Sequence, residues 1–190
     1  MVSVGNQLRW PVRQLLEVQT ADSFFCFPPR SLRGLMDSSL MRLSTRPATD
    51  SDVAFAREAH HGAYRDVVLS QFGTWDDAEQ DRYFDSDWRG ARFDIILTDN
   101  TASGYTAVEY RPDDVHVREL VIHPQWQNRG IGTTFLKQVM DSAAQKGLPV
   151  RLGTFHRNRA LHLYQRLGFR ETGRTEIHVL LEWSMTAPGR

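Results

Sequence analysis

Apolar and polar positions change period several times along the chain, and the sharpest change falls in residues 115–134. Val115 and Val117 alternate with polar neighbours, then Leu120, Val121 and Ile122 run together. That pattern predicts a strand over 115–123 that becomes buried towards its end. Pro124 stops it, because proline donates nothing to a ladder. Beyond the turn, Ile131, Phe135, Leu136, Val139, Met140 and Ala143 share one face at helical spacing, and Gly147 and Pro149 close the helix. Upstream, residues 42–46 predict a first strand. Thr49 and Asp52 have capping-box spacing ahead of a helix with Val53, Ala56, His60, Ala63, Tyr64 and Val67 on one face, ended by Gly73. Thr74 and Asp77 repeat that spacing before a second helix over residues 75–88. Residues 92–99 and 104–110 predict two strands around a turn at 100–103, with a further turn at Pro112-Asp113-Asp114. Downstream come a strand at 150–156 and a short helix at 158–167. Ala160, Leu163, Tyr164 and Leu167 form its apolar stripe, and Gly168 caps it. Strands at 169–172 and 176–183 around Gly173, and a tail at 186–190, complete the reading.

The predicted order is β-α-α-β-β-β-α-β-α-β-β. Hairpins in its middle require antiparallel pairing, and the strand–helix–strand unit at 115–156 requires parallel pairing. The expected class is α/β (α+β), with helices on both faces of a mixed central sheet of about seven strands.

Composition narrows the function. With zero net charge, nothing argues for a nucleic-acid or membrane surface, and none is expected. No apolar run approaches a membrane span. The lone cysteine, Cys26, excludes an internal disulfide and suits a reducing, cytoplasmic compartment. Residues 1–40 differ from the rest. They show no sustained period, mixing Arg9, Arg13, Arg30 and Arg33 with Phe24-Phe25-Cys26-Phe27-Pro28-Pro29. They lack a secretory h-region, and Glu17, Asp22 and Asp37 interrupt any transit-peptide character. Two expectations stand: Met41 is the true start, or residues 1–40 are an irregular extension to a domain at 41–190.

The junction after Pro124 has anion-binding chemistry. A helix's first turn offers unpaired backbone N–H groups and the positive dipole end, and Gly130 and Gly132 clear side chains from its approach. Thr133 and Thr134 follow without the lysine of a Walker loop, and Phe135 stands where a dinucleotide fingerprint needs glycine. Metal chemistry has no support: His60 and His61 are adjacent and diverge on a helix, and no His-x-x-x-His or paired-cysteine spacing occurs. Nor is there a nucleophile-elbow sequence.

Gln127-x-x-Gly130-x-Gly132 after a strand resembles the first signature of the Gcn5-related N-acetyltransferases (GNAT). Asn158, then Leu163-Tyr164, then Gly168-Phe169 resembles their second. The resemblance covers residues 41–183 and implies the GNAT fold, in which the strands flanking the long helix splay apart. It implies acetyl-CoA as co-substrate and no metal. The pyrophosphate would lie on Gln127, Asn128, Arg129, Gly130, Ile131, Gly132 and Thr133. The pantetheine arm would lie along the backbone of Leu120, Val121 and Ile122, with Asn158 also on the cofactor.

Tyr164 is then the acid that protonates the departing thiolate; its alternative is a core aromatic. Glu119 is the general base for the acceptor ammonium, whose pKa is roughly 10.4 for a lysine-like amine. Its alternative is a carboxylate paired with Arg118 or Arg151. Glu109 and His116 are further base candidates, whereas His123 reads as structural. For the acceptor the resemblance points to the first two helices and last two strands, where Tyr64, Trp75 and His178 are candidates. The expected reaction is N-acetylation of a primary amine in a ternary complex, the acceptor a small molecule. A non-catalytic acyl-CoA sensor and a protein or peptide N-acetyltransferase are the alternatives. The resemblance leaves room for a homodimer.

Overall fold

The first strand, β1 (Leu43–Pro47), lies at one edge of a seven-stranded sheet in a computed structural model that describes residues 41–185. The extension expected at 1–40 and the tail expected at 186–190 lie outside the described residues. After β1 come α1 (Val53–Phe72), α2 (Asp77–Gly90), β2 (Asp94–Thr98), β3 (Thr101–Tyr110), β4 (Val115–Ile122), α3 (Ile131–Gln145), β5 (Val150–Phe155), α4 (Leu161–Arg166), β6 (Arg170–Arg174) and β7 (His178–Trp183). The order along the sheet is β1-β2-β3-β4-β5-β7-β6. Only β4 and β5 pair in parallel, as their helical crossover requires. Element order and fold class are those read from the sequence.

Two apolar layers flank the sheet. On one face α3 buries Ile131, Phe135, Leu136, Val139, Met140 and Ala143 against Val115, Val117, Val150 and Leu152. Each large side chain so buried contributes about 1.5–3 kcal/mol. On the other face α1 and α2 bury Ala56, Ala59 and Phe84 against Ile95, Tyr105, Ala107 and Val121.

Two features of β4 position the functional groups. The first is a bulge. Ala107 faces Glu119 and Val108 faces Val117, so Arg118 is an extra residue on β4. Plain alternation would keep Glu119 and Val121 on the face of Val117. The extra residue hands that face to Leu120 and Ile122, which pack with the α3 core, and turns Val121 to the α1/α2 core. Glu119 turns with it. The apolar run Leu120-Val121-Ile122 is therefore a strand buried on both faces. The second feature is a parting of strands: β4 and β5 pair only from Val115 to Val117, opposite Val150 to Leu152. On the opposite edge of β4, where β3 pairs, glycine is required at 104, since a Cβ there would sit 2.2 Å from the Val121 carbonyl oxygen.

Local details depart from the sequence expectations. Asp76, whose carboxylate accepts from the Glu79 N–H at 2.7 Å, caps α2 in place of Thr74. The β2–β3 turn is the two-residue Asp99-Asn100, with φ of 50° and 66°, so residues 101–103 already belong to β3. Asp and Asn tolerate this left-handed region, and such a turn matches the strand twist. Gly173 lies within β6, and Thr175 makes the final turn, its hydroxyl accepting from the His178 N–H at 2.9 Å. The Thr49–Asp52 cap forms as expected: the Asp52 carboxylate accepts from the Thr49 N–H at 2.8 Å and also pairs with Arg46.

Candidate active site

The bulge delivers Glu119 into a polar patch on the α1/α2 face. Tyr64, from α1, donates its hydroxyl to Glu119 Oε1 at 2.5 Å. His60, one helical turn earlier, stacks on Tyr64 at 4.5 Å and meets the Tyr105 hydroxyl through Nδ1 at 3.3 Å. A small pocket beneath is lined in part by His60, Asp87, Trp88, Tyr105 and Glu119. Burial pushes the Glu119 carboxyl up to about 7. The Tyr64 hydrogen bond and Arg118 pull it down, while the nearby Asp87 charge pushes it further up. Glu119 nonetheless keeps a partly exposed edge. Near neutrality it exchanges protons readily, as a general base must. Burial drives His60 the other way, down to about 4, so it stays neutral and acts as a donor or acceptor only.

The alternative partners for Glu119 are occupied elsewhere. Arg118 reaches Asp87 at 3.6 Å and Glu109 at 3.9 Å. Arg151 binds Glu182 at 2.7 Å and Asp114 at 3.1 Å. Glu109 is also paired with Arg111. His123 is structural: it accepts from the Gln125 N–H at 3.3 Å and stacks on Phe55.

Tyr164 is buried on α4, its ring edge-on to Phe169 at 5.8 Å. Its phenol is raised above the ordinary tyrosine value, first by burial and then by the Glu119 charge. The two residues expected to carry acid and base chemistry thus lie within electrostatic reach of each other. They come from opposite sides of the β4–β5 parting.

The candidates expected near the acceptor separate. His178 stacks on Phe155 at 4.9 Å, and Phe155 stands edge-on to both Tyr64 and Phe72. Trp75 instead donates to Asp77, lies under Arg65 and meets His61 edge-on, all in the α1–α2 region. The end of α1 is tied across the sheet. Gln71 donates to the Ile177 carbonyl at 2.9 Å and accepts from the Arg157 N–H at 3.3 Å.

The loop before α3 is exposed at Gln127, Asn128, Arg129 and Gly130. Asn128 and Gly130 adopt φ of 60° and 81°. Gly130 is the N-cap and offers no side-chain oxygen, so the amides of Ile131, Gly132 and Thr133 lack a side-chain cap. A Cβ on Gly130 would meet nothing within 4 Å, which places the turn against open space. Gln127 reaches back to the Ile122 carbonyl at 2.9 Å, locking the loop to β4, and Arg129 lies over Trp126. This donor set suits an anion such as a diphosphate. Leu120, Val121 and Ile122 lead into it along β4. Asn158 lies between β5 and α4; its amide donates to Thr154 Oγ1 at 2.8 Å and its oxygen accepts from the Ala160 N–H at 2.9 Å. It nucleates the turn, and α4 itself starts at Leu161.

Asp87, Tyr105 and Phe155 join the site only in the folded chain. In the sequence Asp87 reads as an ordinary charge on a helix, Tyr105 and Phe155 as strand aromatics. A bulge in β4 would have pointed to them, but one extra residue leaves little trace in a chain read alone.

A search of curated protein sequences returns no match. Among solved structures, the PaiA N-acetyltransferase from Thermoplasma acidophilum in complex with coenzyme A aligns with TM-score 0.61 at 16% identity, over 76% of this chain and 99% of that one. An acetyltransferase from Thermus thermophilus aligns with TM-score 0.57 at 18% identity, over 75% and 97%. The ribosomal-protein-S18-alanine N-acetyltransferase from Escherichia coli aligns with TM-score 0.51 at 16% identity, over 78% and 97%. These likenesses show the fold. The family model described as "Acetyltransferase (GNAT) family" matches residues 58–169. With that match covering more than half of the chain, and with both halves of the splayed sheet in place, the chain belongs to the GNAT family of acetyltransferases.

Proposed function

We propose that the chain transfers the acetyl group of acetyl-CoA to a primary amine by direct attack in a ternary complex. The observation that carries this reading is the placement of Glu119 by the bulge, opposite Tyr164 and at the start of the β4–β5 parting. When bound, acetyl-CoA supplies an acetyl thioester. The uncapped amides of Ile131, Gly132 and Thr133, with Gln127, Asn128, Arg129 and Gly130 shaping the turn, hold its diphosphate. Asn158 borders the same side. Along Leu120, Val121 and Ile122, which pair with β3 on one edge and have no β5 partner on the other, the strand aligns the pantetheine arm, and an amide near Val121 polarises the thioester carbonyl.

Glu119 takes the proton from the acceptor ammonium, since only the neutral amine attacks. Its pKa near 7 keeps a large ionised fraction at neutral pH. Tyr164 stays protonated until the C–S bond breaks; burial makes it a weaker acid than the thiol, whose pKa is about 8.5, so its hydroxyl hydrogen-bonds the developing thiolate and relays to it the proton that the attacking nitrogen loses. No acyl-enzyme is required.

A small acceptor is favoured by the ties from Gln71 to Ile177 and Arg157. These fasten α1 to the connections after β5 and before β7, on the side where Phe155 and His178 stand. Release of CoA thiol across a panel of amines and N-terminal peptides tests the reading. Turnover with a small amine, abolished in Glu119→Gln, is the expected result; CoA binding without release for any acceptor would favour the acyl-CoA sensor.

A further inference from the structure

We propose that Tyr64 is a positioning residue for the base: its hydroxyl holds the Glu119 carboxylate in place and in its charged form, and does not serve the acceptor. This rests on Glu119 being the base. The sequence marks Tyr64 as an acceptor candidate, but the geometry commits its hydroxyl to Glu119 Oε1 at 2.5 Å. The ring is held on two sides, by the His60 stack at 4.5 Å and by Phe155 edge-on at 6.0 Å, which fixes where the hydroxyl points. His60 precedes Tyr64 by one turn of α1 and Phe155 comes from β5, so the contact does not depend on a freely rotating side chain.

The groups around Glu119 explain why such a donor is needed. From α1 it faces Tyr64 and His60; from α2, Asp87; from β3, Tyr105 and, beyond Arg118, Glu109; from β4, Arg118; from α4, Tyr164. His60 is neutral near pH 7, and all three phenols are raised by burial and stay protonated. Asp87 opposes ionisation of Glu119. Arg118, the one cation in the set, is shared with Asp87 and Glu109. Tyr64 is therefore the neutral donor that favours the carboxylate directly, and burial keeps it a donor across the working range.

Tyr64→Phe keeps the ring and removes only the hydroxyl. In that variant the acidic limb of the kcat/KM profile should move up by about one pH unit, lowering kcat/KM about five-fold at pH 7 and restoring it at about pH 9. KM for the acceptor should stay within about two-fold of the parent. A limb that does not move, or a loss carried by acceptor KM at every pH, overturns the inference. Carbon-13 carboxyl titration of Glu119 gives a readout independent of turnover. Its midpoint should rise in Tyr64→Phe, and an unmoved midpoint overturns the inference whatever the kinetics. Glu119→Gln separates the two claims: full turnover in that variant removes the base assignment, while the titration still decides whether Tyr64 holds the carboxylate.

Discussion

The loop before α3 and the patch around Glu119 lie at the two ends of one short stretch of chain, yet they are built differently. The loop is local: residues 127–133, one helix end and two left-handed residues present backbone amides to open space. The patch is non-local: Tyr64, Asp87, Tyr105, Glu119 and Tyr164 come from five elements and act through side chains. A backbone site tolerates most substitutions that keep its dihedrals, whereas a side-chain site fails one group at a time. That contrast makes binding and chemistry separable by mutation.

The strongest way to break it is Glu119→Gln. Turnover should fall by at least about 100-fold near neutral pH, with CoA affinity by calorimetry unchanged. Equal losses in both would mean that the two regions are one site. Tyr164→Phe comes next. Turnover should fall about 10- to 100-fold with CoA affinity close to normal, because the ring still fills its place in the core. Gly130→Val should do the reverse. A β-branched residue at φ 81° costs about 1–2 kcal/mol, so CoA should bind roughly ten-fold more weakly while turnover at saturating CoA holds.

Stability offers a gentler test. The folded-state pKa of Glu119 lies above its ordinary value, so the folded protein binds the proton more tightly than the unfolded chain does. Stability from this group is full below about pH 4.5 and is lost as pH rises through about 7. Glu119→Gln should therefore raise Tm by a few degrees at about pH 8.5 and by little at about pH 5. A gain of equal size at both would show that burial of the charge is not the cause. The smallest effect is expected at Trp75. Its contacts are with Arg65, His61 and Asp77, so Trp75→Phe should change turnover by less than about two-fold. A larger loss would extend the acceptor region to the α1–α2 connection.

The elements were legible because their signals are short-range. The α3 stripe, the Thr49–Asp52 cap and the proline after β4 each act within a few residues. Pattern and structure part where two local solutions compete. Asp76 and Thr74 both precede α2 with acceptable side chains, and the winner is the one whose carboxylate reaches the Glu79 amide. Gly173 looked like a turn because glycine usually marks one, but Thr175 supplies the hydroxyl that the turn needs. The site divides along the same line. Residues 127–133 form a local turn and were visible as such, and Tyr164 stood out on its stripe. The environment of Glu119 was not visible, since Tyr64 is 55 residues away in sequence.

Among the described residues no helix is long and apolar enough to cross a membrane, and no cluster of three or more His, Cys, Asp or Glu residues is placed to hold a metal ion. What the amino-acid order alone determined here is everything that periodicity and near neighbours control: the succession of strands and helices, the glycine-bearing turn before α3, and the two signature segments. What only the folded chain decided is the direction and charge state of Glu119. One additional residue in β4 reverses the face on which the carboxyl emerges, and its proton affinity is set by burial and by a phenol from a distant helix. Side-chain direction in a strand is the running sum of every residue before it, and electrostatics depends on distance through space, so neither can be read from local pattern.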